Sequence, residues 1–64
     1  MVRVNGEEKD IAGISVADFL KDNGFNLTFI AVEINEEIVP KATFNDRIIA
    51  DNDIIEIVNF VGGG

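Results

Sequence analysis

Sixty-four residues, 47% of them apolar and none of them Cys, define one small domain whose core is modest and which no disulfide or thiolate metal site can staple. With no His, Cys, Tyr or Trp the usual general base and thiol nucleophile are absent, and so small a body cannot enclose a typical pocket of ~300–1,000 Å³ beside a core, so the composition argues against an independent enzyme. Twelve acidic residues against five basic ones, a net charge of −7, repel nucleic-acid phosphates and favour steering toward a basic protein surface.

The chain opens with Val2-Arg3-Val4 at the strand period, and Asn5-Gly6 is the strongest short hairpin signal because both residues tolerate positive φ. Arg3 is followed by Asn5-Gly6-Glu7-Glu8 rather than an apolar stretch, which is unlike a secretory signal. Glu7 to Ile11 reads as the returning strand, broken at Ala12-Gly13. Ser15 then caps a helix over Val16–Asn23, with Asp18 in a near capping box and Ile14 and Phe19 as a hydrophobic staple. Val16, Phe19 and Leu20 share its apolar face; Gly24 supplies the left-handed stop, with Phe25 folding back on Leu20. Ile30–Ile34 is a β-branched strand, Asn35-Glu36 a turn, and Ile38-Val39 a return ended by Pro40. Around Phe44 a single helical turn is expected, and Ile48-Ile49 forms a short strand. Asp51-Asn52-Asp53 is a polar turn before a last strand from Ile54 to Phe60.

Two hairpins flanking one helix and closed by an apolar strand predict an α+β fold, a mixed sheet of four to five strands covered on one face by that helix. The last strand is apolar on both faces over Ile54 to Val58, which places it centrally, parallel to the first strand. Ile55 and Ile57 should then point at the helix, while Glu56, Val58 and Phe60 face the uncovered side, where exposed apolar surface marks a protein contact. The alternative for Phe60 is burial in the core. No apolar run approaches the ~20 residues that span a bilayer, so no membrane partner is expected and the default compartment is the cytoplasm.

The chain stops at Gly62-Gly63-Gly64, directly after the last strand. Glycine at a free end adds no packing, but it lets a main chain thread a passage too narrow for side chains. The expected organisation is therefore a body over residues 1–61 and a flexible glycine tail over 62–64. Val61 to Gly64 can extend about 13–14 Å at ~3.3–3.6 Å per residue. The plain alternative is a frayed terminus or an expression scar.

Val4-Asn5-Gly6-Glu7, Ile38-Val39-Pro40-Lys41 and the block from Asp53 to Gly64 resemble the ThiS family, the sulfur carrier proteins of thiamin (thiazole) biosynthesis. The likeness covers the whole chain and implies a ubiquitin-like β-grasp. It departs from the pattern at Asn35-Glu36, where many of these proteins have Asn-Gly. The resemblance implies that an E1-like, ThiF-like adenylyltransferase uses ATP and magnesium to adenylate the Gly64 carboxylate. Sulfur originating with a cysteine desulfurase then displaces AMP, and the thiocarboxylate serves a ThiG-like thiazole synthase. Gly62 and Gly63 are the implied tail, and Glu56, Val58, Phe60 and Val61 the expected partner-binding residues. No cofactor is expected on the chain itself, and the free protein is expected to be a monomer. Two readings compete: the small subunit of molybdopterin synthase (MoaD-like), and a ubiquitin-like protein modifier that forms isopeptide bonds. A third is an interaction module with an inert tail.

Overall fold

Local chemistry sets both hairpins. Asn5 and Gly6 take φ of 49° and 85°, and Asn35 and Glu36 take 54° and 70°, so each turn has two positive-φ residues, the hand that matches strand twist. A computed structural model describes residues 1–60 of the chain. The elements are β1 (Val2–Val4), β2 (Glu7–Lys9), α1 (Val16–Asp22), β3 (Ile30–Ile34), β4 (Glu37–Ile38) and β5 (Ile54–Asn59), with 3₁₀ turns at Leu27–Phe29 and Lys41–Thr43. The five strands form one mixed sheet in the order β2-β1-β5-β3-β4. β5 lies at its centre, parallel to β1 and antiparallel to β3. This is the β-grasp arrangement that the element order predicts.

Helix α1 is fixed at both ends. The Ser15 hydroxyl accepts from the Asp18 N–H at 3.1 Å. Gly24, at φ 73°, turns the chain so that its N–H donates to the Lys21 carbonyl at 3.1 Å and the Phe25 N–H to that of Leu20 at 3.0 Å. Val16, Ala17, Phe19 and Leu20 are buried by α1. They pack in one core with Val2, Val4, Ile30, Val32, Ile34, Val39, Phe44, Ile49, Ile55 and Ile57.

Several boundaries differ from the sequence reading. The returning strand ends at Lys9 rather than Ile11, because its partner β1 begins at Val2, which already pairs with Lys9. Asn23 is the cap of α1, not its last residue: at φ −100° and ψ 7° its backbone has left the helix, while its N–H still donates to the Phe19 carbonyl at 3.2 Å. The return after Asn35-Glu36 is Glu37–Ile38. Ile48-Ile49 is no strand: one bridge joins Ser15 to Ile48, and Ile49 exchanges backbone hydrogen bonds with Gly13 and Ile14 instead. β5 stops at Asn59, one residue before Phe60. The capping box is half made, with no bond from the Asp18 carboxylate to Ser15 among the described residues; Asp is one methylene shorter than the Glu such a box uses. Asp53, expected in a polar turn, is buried.

Candidate surface for partner docking

Alternation along β5 sends Ile55 and Ile57 into the core, while Ile54, Glu56 and Val58 are exposed on the face that no helix covers. Phe60 continues that side and is 48% exposed, with Val58 at 55%, so neither is a core residue. The register with β3 sets Val58 opposite Ala31 and Glu56 opposite Glu33. One step further, the Phe60 N–H donates to the Phe29 carbonyl at 2.7 Å, bringing a second exposed aromatic residue beside it. The face thus runs from an aromatic and aliphatic end at Phe60, Phe29 and Val58 to a carboxylate pair at Glu33 and Glu56. Across β4, Ile38 is paired with Glu33 and is 68% exposed. Val61, Gly62, Gly63 and Gly64 lie outside the described residues, as does the expected boundary between body and tail.

Like charges placed directly opposite one another across a ladder are destabilising. Among the described residues the ion pairs are Met1–Asp51, Lys9–Glu7 and Arg47–Asp53, and none reaches Glu33 or Glu56. Beyond that pair a depression of about 420 Å³ is lined by Glu33, Asn35, Glu36, Ile54 and Glu56. It sits at the start of β5, away from Phe60. Its lining is three carboxylates, an amide and one isoleucine, an acidic surface.

Three residues that sequence reasoning missed hold β5 in place. Asn35 donates its backbone N–H to the Ile54 carbonyl at 2.8 Å, accepts the Ile54 N–H on Oδ1 at 3.0 Å, and gives Nδ2 to Asp53 Oδ1 at 3.0 Å. The Asp53 carboxylate, 6% exposed, also accepts from the Ala50 N–H at 2.8 Å and Arg47 Nη2 at 3.3 Å. At the other end, the Asn5 amide pairs with the backbone of Ile57. Both asparagines are legible as turn residues. Their reach to a strand 19 and 52 positions away is not.

No described helix is long and apolar enough to cross a membrane. Comparison with known proteins is consistent in its direction. The model of the ThiS family matches residues 2–64. The sulfur carrier protein ThiS of Thermus thermophilus is 34% identical over 64 residues, the full length of both chains. A thiazole synthase of Paramagnetospirillum magneticum is 42% identical over 62 residues, 95% of this chain but 19% of that protein, so this chain spans about a fifth of that relative's length. Among solved structures, the crystal structure of the thiamine biosynthesis protein ThiS from Geobacter metallireducens superposes with a TM-score of 0.82 at 25% identity, over 98% of this chain and 97% of that one.

Proposed function

This chain belongs to the ThiS family, and we propose that it carries sulfur for thiamin biosynthesis as a thiocarboxylate on Gly64. The observation that carries this reading is the family match over residues 2–64, which includes the terminal glycines. A free carboxylate is a poor electrophile, because its leaving group would be oxide. A partner adenylyltransferase of the ThiF type, using ATP and magnesium, forms the bond from a Gly64 carboxylate oxygen to the α-phosphorus and releases pyrophosphate. A persulfide sulfur, originating with a cysteine desulfurase, then attacks the acyl carbon; AMP leaves, and reductive cleavage of the sulfur–sulfur bond by a thiol leaves the thiocarboxylate. The chain supplies no side chain to this chemistry and acts in the cytoplasm as a substrate of other enzymes, monomeric when free. Because it has no Cys, no thiol of its own can intercept the activated end.

Glu56, Val58 and Phe60 fit the docking role, with Val61 continuing toward the tail of Gly62 and Gly63. Exposed apolar side chains on an uncovered sheet face suit a protein contact. The opposed Glu33 and Glu56 carboxylates suit a basic side chain on the partner, and the net charge of −7 favours encounter with a basic surface. A thiazole synthase that contains a segment similar to this chain supports thiazole synthase as the recipient of the sulfur. The test is removal of the chain from its host. A growth requirement relieved by thiamin or its thiazole moiety is expected; a molybdenum-cofactor requirement without a thiamin one would overturn the assignment.

A further inference from the structure

The ladder between β1 and β5 has two registered pairs, Arg3–Ile54 and Val4–Ile55, before β1 reverses at Asn5-Gly6. β5 continues to Asn59, held along its other edge by β3. Asn5 fills the next rung on the β1 side. Its backbone N–H donates to the Ile55 carbonyl at 2.9 Å, its Oδ1 accepts the Ile57 N–H at 2.8 Å, and its Nδ2 donates to the Ile57 carbonyl at 3.3 Å. A primary amide carries a donor and an acceptor in one plane, as a peptide group does, so the side chain stands in for a strand residue after the strand has turned away. Asp lacks the donor, Gly lacks both groups, and Gln is longer by a methylene. Asn also tolerates the φ of 49° that the turn imposes.

We propose that Asn5 is a positioning residue for activation of the C-terminus: its amide anchors the exit half of β5, from Ile57 to Phe60, and thereby fixes the point from which the reactive end departs. The proposal deepens the carrier reading above and rests on it. Among the described residues the Asn5 side chain hydrogen-bonds to the backbone of Ile57 alone, and it acts through that backbone. Without it, this stretch of β5 is paired on one side only, and a one-sided strand opens more readily than a central one.

Two variants test this. Asn5→Gly keeps the positive φ and deletes the amide; Asn5→Asp keeps the acceptor but sets a carboxylate oxygen against the Ile57 carbonyl. Asn35→Gly is the control, because it removes an equivalent side-chain anchor from the same strand at the end away from the exit. Hydrogen exchange of the Ile57 amide is compared with that of Leu20, a fully buried helix residue. Thiocarboxylation of the full chain by the activating enzyme, with ATP and a sulfur donor, gives kcat and KM. In both Asn5 variants Ile57 exchange should accelerate about tenfold more than Leu20 exchange, and kcat should fall about tenfold with KM within about twofold, the size expected when one part-buried hydrogen-bonded anchor is lost. Asn35→Gly should leave kcat and KM within about twofold of wild type at a temperature where it remains folded.

If Ile57 exchange accelerates no more than Leu20 exchange in the Asn5 variants, the amide is not an anchor and the proposal is wrong. If it does but kcat is unchanged, or if Asn35→Gly loses kcat equally, the role is structural and the proposal is likewise overturned. A wild-type chain that takes up no sulfur would sink the carrier reading and this role with it, while the exchange arm would still decide whether the anchor exists.

Discussion

Replacing Asp53 by Asn alters one buried atom and should weaken the whole fold. The carboxylate is surrounded by donors: Asn35 Nδ2 on one oxygen, and the Ala50 N–H and Arg47 Nη2 on the other. An amide offers one acceptor and adds two donors. If its oxygen stays with Ala50 and Arg47, its NH₂ faces that of Asn35. Rotating the Asn35 amide would relieve this, but Asn35 Oδ1 would then leave the Ile54 N–H that it accepts. No arrangement satisfies every group, so one buried donor goes unpaired at a cost of about 1–3 kcal/mol. The lost ion pair adds no more than about 1 kcal/mol, because Arg47 is 35% exposed and screened by solvent. The sum is about 1–4 kcal/mol, centred near 2, against about 3–10 kcal/mol of total stability for a chain of this length. Urea unfolding followed by far-ultraviolet circular dichroism measures it, since there is no Trp or Tyr to serve as a fluorescent probe. With a slope near 1 kcal/mol per molar urea, the midpoint should drop by about 2 M. A drop of less than about 0.5 M would show that Asp53 is not the hub its contacts describe.

Other perturbations have equally definite outcomes. Glu36 sits at φ 70°, so Glu36→Gly should raise stability by about 1 kcal/mol, read as an increase of several degrees in the thermal midpoint. The hydrogen bond between the Met1 ammonium and the Asp51 carboxylate raises the amine above its usual range and lowers the carboxyl below its own. Asp51 therefore contributes above the ordinary carboxylate range and loses this as pH falls through its lowered value; the amine contributes below the ordinary amine range and loses this as pH rises through its raised value. Thermal midpoints of wild type and Asp51→Asn should thus differ most near neutrality and converge toward both extremes. Val58→Lys, at a site 55% exposed, should change stability by less than about 0.5 kcal/mol while sharply reducing affinity for the activating enzyme, measured by calorimetry.

How legible this protein is in its sequence depends on the range over which each signal acts. The Ser15 cap, the Gly24 stop and both Asn-led turns are written within four or five neighbouring residues, and each forms where expected. The central place of β5 follows from the apolar residues on both of its faces, and alternation alone assigns Val58 and Phe60 to the open face. Ile48-Ile49 misleads because β-branched composition records a preference for extended backbone, whereas pairing depends on a partner strand; its backbone groups meet the loop before α1 instead. Asp53 misleads for a related reason. Its neighbours Asp51 and Asn52 read as solvent-facing, and only the fold brings Asn35 and Arg47 to cover it. The carboxylate pair at Glu33 and Glu56 is invisible in a linear reading, since it depends on the register between two strands.

The central claim concerns the end of the chain, and intact-protein mass spectrometry tests it most directly. The full chain is incubated with its activating adenylyltransferase, ATP, magnesium and a persulfide-generating desulfurase, then fragmented. One sulfur-for-oxygen exchange should appear, located on Gly64 and absent when ATP is omitted. An unmodified terminus under conditions in which the activating enzyme thiocarboxylates another carrier, or sulfur located elsewhere in the chain, would contradict the account.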